Sequence, residues 1–380
     1  MVPATAARLI RLAEPDIDDA DLRAVEEVLR SGWLVQGPRV AALEQAMAAR
    51  TGATHAIAVA NGTAALHLAL LALDIGPGDP VAVATYSWPA TANVIALVGA
   101  RPVFVDIDPA TWAMDPARLE EAFRRVPDLK CVMPVHAFGS MAPMPALRAI
   151  ADRHGVPVIE DAACAVGARL DGRAAGSWGR LGCFSFHPRK TVTTGEGGMV
   201  TTDDAALARK VRILRNHGQD PDAAAPDFVA PGFNLRLTEF QGALGVTQLA
   251  KLDRLLARRR EVAGWYADAL RGTGLVTQAA PSAEAHSWQA HVSLLPARLA
   301  GERAAIIAQL RAGGVEAQIG THHQPLTRYF QKAGGHALGD FPVTDDVAAR
   351  ALALPMHAAL TADDVTFVAA RVGAMLEGRS

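Results

Sequence analysis

Cysteine is scarce in this chain. Cys131, Cys164 and Cys183 are spread over 380 residues with no CxxC spacing. Three cysteines cannot all pair, which argues against a disulfide scaffold and favours a reducing compartment, expected to be the cytoplasm. A basic excess is missing as well, since 37 Lys and Arg stand against 39 Asp and Glu. Nucleic-acid binding needs a strongly positive face, so no nucleic-acid partner is expected. The sharpest basic run, Arg258-Arg259-Arg260, lies in a helical pattern and reads as a solvated helix face. The first residues, MVPATAARLIRLAEPD, carry no continuous apolar core of signal-peptide type. The apolar stretch from Ala56 to Ala100 is interrupted by Gly76-Pro77-Gly78-Asp79-Pro80 and by Pro89. Its pieces are too short to span a bilayer, and no membrane association is expected. Short apolar pieces of this kind suit strands covered on both faces of a parallel sheet. No metal site is indicated: His322 and His323 are adjacent, not spaced to share a helix face.

What is present is a core and a rhythm. Half of the residues are hydrophobic, and the length exceeds the usual single-domain size of about 100–150 residues. Val81–Thr85, Pro102–Asp106, Lys130–Val135, Val156–Glu160 and Cys183–Phe186 read as strands. Thr63–Leu73, Ala90–Val98, Pro116–Val126 and Met144–His154 read as helices between them. Strand and helix in alternation specify an α/β fold, a mostly parallel central sheet covered by helices. After Val200 the rhythm changes. A helix over Asp204–Arg215 ends at Asn216-His217-Gly218, and Leu237–Arg260 reads as one long helix leading into a second unit. Fewer, shorter strands then alternate with helices such as Glu302–Ala312 and Ala362–Leu376. The expected division is a large domain over residues 14–250 and a smaller α+β C-terminal domain over 251–380, with residues 1–13 packing on the latter.

Three segments carry chemistry. In the first, the apolar run Ala56–Ala60 leads into Asn61-Gly62-Thr63-Ala64-Ala65-Leu66. A strand, a small-residue turn and a helix start expose backbone N–H groups to an anion such as phosphate. Gly62 permits close approach, and Thr63 offers a hydroxyl beside Ala64. In the second, Val156-Pro-Val-Ile-Glu160-Asp161 puts Asp161 at the carboxyl end of a strand, the edge at which open parallel sheets bind ligands. A buried carboxylate needs a partner, and a cationic pyridine nitrogen is one. In the third, Ser185 ends a strand, Lys190 follows five residues later, and the loop Thr191–Gly198 is rich in Thr and Gly. Ser185 can bond a phosphate, and a lysine beside a cationic cofactor can act as nucleophile and base. Taken singly, each has a plain alternative: an ordinary turn, a helix-capping or ion-paired Asp, a solvated Lys. Taken together they form one ordered set, with Lys190 placed 29 residues after Asp161.

That set resembles the fold type I pyridoxal-phosphate enzymes, and in particular the DegT/DnrJ/StrS-type nucleotide-sugar aminotransferases. The matching pieces are Ser31-Gly-Trp33-Leu34, Asn61-Gly-Thr-Ala-Ala65, Glu160-Asp-Ala-Ala163, Ser185-Phe-His-Pro-Arg-Lys190, Gly195-Glu-Gly-Gly198, Arg215-Asn-His-Gly218 and Gly232-Phe-Asn234-Leu-Arg236. The resemblance implies pyridoxal 5'-phosphate as cofactor and Lys190 as the catalytic Schiff-base lysine. It implies that Asp161 pairs with the pyridine nitrogen, that Trp88 stacks on the ring, and that Gly62, Thr63, Ala64 and Ser185 hold the phosphate. Asn234 matches an asparagine that reaches this phosphate from a neighbouring subunit, which implies a homodimer with shared sites. Cys164 departs from the pattern. Gln or His is usual there, contacting the cofactor's phenolic oxygen, and a thiol is a weak hydrogen-bond partner. Val35 stands where Thr is common. Trp33, Arg236, His322 and His323 are candidates for the substrate side, with His291 a further one.

The reaction implied is transfer of an amino group from glutamate to a keto-sugar nucleotide or a keto-cyclitol. A dehydratase of the same family is one rival, but such members carry His in place of the lysine. A cofactor-binding regulatory protein without turnover is another. An ordinary amino-acid transaminase is a third, and it would need an arginine for the substrate carboxylate that the sequence does not locate.

Overall fold

The computed structural model describes residues 9–377. Residues 1–8, which include most of the segment expected to pack on the small domain, lie outside the described residues. Seven strands form the central sheet: β1 (His55–Val59), β2 (Pro80–Ala84), β3 (Arg101–Val105), β4 (Cys131–Met133), β5 (Ile159–Asp161), β6 (Leu181–Ser185) and β7 (Gly198–Thr202). Their spatial order is β1-β7-β6-β5-β4-β2-β3, with β4 joined to β5 by bridges at Val132–Val158 and Val135–Asp161. All run parallel except β7, which is antiparallel to both β1 and β6. The mostly parallel sheet expected from the sequence is therefore present, with one strand reversed.

The apolar strands are explained by what lies on either side. Successive residues point to opposite faces. Ala56 and Ala58 of β1, and Ala82 and Ala84 of β2, join one core with helix Pro38–Thr51. Ile57, Val59, Val81 and Val83 join a second core with helix Gly62–Ala72. Both faces are covered, so neither can alternate with polar residues. Small alanines on one face let the helix against it approach closely.

The second half corrects one expectation. Leu237–Arg260 is not one helix but part of two, Glu239–Ala250 and Leu252–Ala269. The break falls at Lys251, whose N–H turns back to the carbonyls of Gln248 and Leu249. Its ammonium lies 2.5–3.2 Å from the carboxylates of Asp16, Asp18 and Asp21, tying the break to the start of helix Asp19–Ser31.

Beyond it, a four-stranded antiparallel sheet contains β8 (Val276–Thr277), β9 (His291–Leu294), β10 (Gln318–Ile319) and β11 (Ala351–Leu354), in the order β8-β9-β11-β10. Leu352, Leu354, Ile306, Val365 and Val368 build its core with helices Arg303–Ala312 and Ala362–Glu377. Ile10 belongs to the same core. Leu12 N–H donates to Glu316, and Met356 N–H donates to the Leu12 carbonyl. The two halves also pair directly, through two-residue strands Tyr86–Ser87 and His322–His323.

Candidate active site

Three chain segments meet at the carboxyl ends of β1, β5 and β6. After β1, Asn61 caps helix Gly62–Ala72, its side-chain oxygen accepting the Ala64 N–H at 2.8 Å. Among the described residues no hydrogen bond uses the N–H of Gly62 or Thr63, so both remain for an anion, where the helix dipole favours one. Ser185 closes the cradle from the end of β6. A Cβ on Gly62 would stand 2.8 Å from the Ser185 Cβ, closer than carbon atoms pack. Gly198 has a similar reason. It pairs with both Val59 and Ser185, and a Cβ there would lie 2.5 Å from the Asn61 backbone. The glycine loop thus begins the reversed strand that holds the Asn61–Thr63 turn and the end of β6 together.

Asp161 ends β5 and is 6% exposed. Its Oδ2 accepts from the Thr91 hydroxyl at 2.7 Å, and its Oδ1 accepts from the Ala163 N–H at 3.2 Å. No cationic side chain of the described residues pairs with it. Its neighbour Glu160 points the other way, fully buried. There it accepts from the N–H groups of Gly176, Trp178 and Gly179 and meets His136 Nε2 at 2.9 Å. The adjacent carboxylates divide, then, into one satisfied within the core and one held open to the cavity.

Lys190 sits on the loop after β6, its N–H donating to the His187 carbonyl at 2.8 Å. Its Nζ stands 3.1 Å from Cys164 Sγ. The cysteine that departs from the family pattern is therefore the lysine's neighbour. The following threonines are buried, and the Thr193 hydroxyl donates to the Phe186 carbonyl. That inward anchoring fixes the loop and aims the amine.

A cavity of about 990 Å³ joins these groups. Gly62, Thr63, Ala64, Trp88, Asp161, Cys164, Ser185, Lys190 and His322 all border it. Trp88 is 63% exposed and meets the His322 ring edge-on at 5.2 Å, so it is no core residue. The structure does not bring Trp33, Asn234, Arg236 or His323 to this cavity. His323 follows His322 on a strand and so faces away, its Nε2 bound to Asp345 at 2.9 Å. Asn234 and Trp33 are exposed elsewhere, and Arg236 donates to the Asn216 side chain at 2.6 Å. His291 does not border the cavity either. It is buried against Tyr266, and burial pushes its imidazole down to about 4.

Several bordering residues were not found from sequence: His67, Arg189, Glu196, Gln289 and Gln318. His67 lies one helical turn beyond Thr63, a spacing that places both on one face. Burial pushes its imidazole below the ordinary value. Gln289 lies just before β9 and Gln318 on β10 of the four-stranded sheet, and no local pattern links them to Lys190.

The model of the DegT/DnrJ/EryC1/StrS aminotransferase family matches residues 15–373. The chain belongs to that family. It is 40% identical to the Bacillus subtilis spore coat polysaccharide biosynthesis protein SpsC over 379 residues, 96% of each chain. Among solved structures, Helicobacter pylori PseC, an aminotransferase involved in the biosynthesis of pseudoaminic acid, superposes with a TM-score of 0.92. It is 26% identical, with 98% of this chain and all of that one covered. The Streptococcus pneumoniae protein Spr1654, solved in PLP and PMP forms, superposes at 0.93 with 27% identity over 98% of this chain and at least 98% of that one. The fold is that of fold type I, the chain is an aminotransferase, and its cofactor is pyridoxal 5'-phosphate. The residues present fit that group. It needs an anion for its ring nitrogen, a cradle for its phosphate and an amine for its aldehyde. The cavity presents a buried carboxylate without a cationic partner, open helix N–H groups beside an obligatory glycine, and the Lys190 amine. Among the described residues no helix is long and apolar enough to cross a membrane.

Proposed function

We propose that the chain transfers an amino group from glutamate to a ketone on a sugar nucleotide, or on a cyclitol, with Lys190 as the catalytic lysine. The observation that carries this is the convergence of the Lys190 amine, the Asp161 carboxylate and the Gly62–Ser185 cradle on one cavity. Relatives support the sugar: SpsC is named for polysaccharide biosynthesis and PseC for pseudoaminic acid biosynthesis.

Bound there, pyridoxal phosphate supplies an electron sink for charge developing on the substrate carbon. The protein's part is to hold and to move protons. Gly62 and Thr63 N–H groups, with the Thr63 and Ser185 hydroxyls, fix the phosphate and so the ring's position. Asp161 sets a negative charge opposite the ring nitrogen, and Thr91 holds that carboxylate in place. Trp88 offers its face to the ring. Lys190 Nζ takes the proton from the donor's α-carbon and returns one to the acceptor's former ketone carbon. Cys164 Sγ, 3.1 Å from Nζ, accepts a hydrogen bond from the amine and steadies it while it is free. Asn234 is exposed and outside its own subunit's cavity. We place it at the phosphate of a second copy, which makes the active unit a homodimer.

The test uses the purified holoenzyme. Glutamate should abolish its visible absorption band, and a keto-sugar nucleotide or keto-cyclitol should restore it. Lys190→Ala should retain cofactor only reversibly, lose it on dialysis and turn over at least about 10³-fold more slowly, the scale of a lost general base. A Lys190→Ala protein with full turnover would place the proton transfer on another residue. A wild-type band indifferent to glutamate would remove glutamate as donor.

A further inference from the structure

We propose that Arg189 grips the oxyanion of the substrate, making it a substrate-binding residue. The proposal rests on the aminotransferase reading of this cavity and adds to it the anchor for the anionic group that glutamate or a sugar nucleotide presents. Glutamate is anionic through its carboxylates and a sugar nucleotide through its diphosphate, whereas a keto-cyclitol acceptor carries no charge for such a grip. Glutamate and a sugar nucleotide use the same cavity in turn, so one fixed cation can serve both.

Of the side chains bordering the cavity, Arg189 is the permanent cation left uncommitted, and the His322 ring packs edge-on against Trp88. Lys190 is committed to the cofactor aldehyde and Asp161 to the ring nitrogen. Glu196 is anionic and of the wrong sign. Burial pushes the imidazoles of His67 and His187 down, which favours their neutral forms. A guanidinium stays charged and matches carboxylate or phosphate oxygens with two parallel N–H donors.

Its placement is built. The Arg189 N–H donates to His187 Nδ1 at 3.2 Å, and its carbonyl accepts from Gln289 Nε2 at 2.8 Å. The side chain donates one Nη1 hydrogen bond, to Gln318 Oε1 at 3.1 Å. A guanidinium carries five N–H donors, so this neutral contact orients the group while leaving donors for a ligand. Gln289 and Gln318 both belong to the small domain and both border the cavity. An anion held here would lie between the lysine loop and the small domain.

The experiment compares wild-type holoenzyme with Arg189→Gln, Arg189→Lys and Gln318→Ala. Glutarate, an unreactive dicarboxylate, and inorganic pyrophosphate are the binding probes, followed by calorimetry. Each half-reaction is then followed by the visible band. Arg189→Gln should bind at least one probe about 10- to 100-fold more weakly, the worth of a hydrogen-bonded charge. The matching half-reaction should need correspondingly more substrate at a nearly unchanged maximal rate. Loss confined to glutarate and glutamate assigns a donor carboxylate, and loss confined to pyrophosphate and acceptor assigns a diphosphate. Arg189→Lys should recover part of the affinity, and Gln318→Ala should weaken binding only a few-fold. Both probes and both half-reactions within twofold of wild type in Arg189→Gln would overturn the proposal while leaving the aminotransferase reading intact. A wild type that shows no half-reaction but binds the probes through Arg189 would sink that reading and leave the grip.

Discussion

Replacing Asp161 by asparagine removes one charge from the cavity and alters little else. The residue is nearly buried, and its two oxygens accept from Thr91 Oγ1 at 2.7 Å and from the Ala163 N–H at 3.2 Å. Asparagine has the same size and keeps one oxygen for Thr91. What is lost is the weaker acceptor for the Ala163 N–H and, chiefly, attraction to a protonated ring nitrogen. Two unit charges about 3 Å apart at an effective dielectric of about 20 interact by roughly 5 kcal/mol. Desolvation of both groups, and the hydrogen bond an amide can still make, reduce the net effect to about 3–5 kcal/mol. At about 1.4 kcal/mol per tenfold, the glutamate half-reaction should slow by roughly 10²- to 10⁴-fold. Thr91→Val is the control. It keeps the charge and removes a hydrogen bond worth about 1 kcal/mol, so it should slow the step by only about 5- to 10-fold. The assay is single-turnover decay of the visible band after mixing with glutamate, with thermal unfolding of each variant recorded beside it. Asp161→Asn within tenfold of wild type, at unchanged unfolding temperature, would refute the pairing.

Gly62→Ala places a methyl group against Ser185 and should weaken cofactor binding by about 1–3 kcal/mol, or about 5- to 150-fold, in titrations of apoprotein; unaltered affinity would show that the turn does not hold the phosphate. Acid stability follows from two histidines in the small domain. Burial pushes His286 down to about 3 and His291 down to about 4, against an ordinary value near 6.5. As pH falls from 6.5 toward 4, the unfolded chain takes up protons that the folded one refuses. Stability should drop by up to about 1.4 kcal/mol per pH unit for each imidazole, with no contribution above pH 6.5. Thermal scans between pH 7.5 and 4.5 should show a flatter dependence for the His286→Gln/His291→Phe double variant, and identical slopes would assign the acid sensitivity to carboxylates.

The parts of the molecule written in short, contiguous patterns were legible in sequence. Strands β1, β2, β3 and β6 are apolar runs because both faces are covered, and each was found to within about two residues. Asp161, Ser185 and Lys190 were legible because each stands at a strand end or in the loop directly after it. Strand β7 was hidden. It begins inside a glycine-rich motif, and glycine there answers to the close passage of Asn61 rather than to a turn. The break at Lys251 was invisible because no Gly or Pro marks it, and the three aspartates that hold its ammonium, at positions 16, 18 and 21, lie more than two hundred residues away. His322 and His323 looked equivalent as neighbours in a polar stretch. Strand alternation, which appears only once the segment pairs with Tyr86–Ser87, turns one toward the cavity and the other toward Asp345. Gln289 and Gln318 reach the lysine loop only through tertiary packing of the C-terminal sheet.

The short pairing of residues 322–323 with 86–87 has a mechanical consequence. It joins the two halves by main-chain hydrogen bonds at the rim of the cleft, and Gln324 extends the seam by bonding the Ala84 carbonyl and the Ala92 N–H. A rim sewn this way cannot swing wide on the Trp88 side without tearing the stitches.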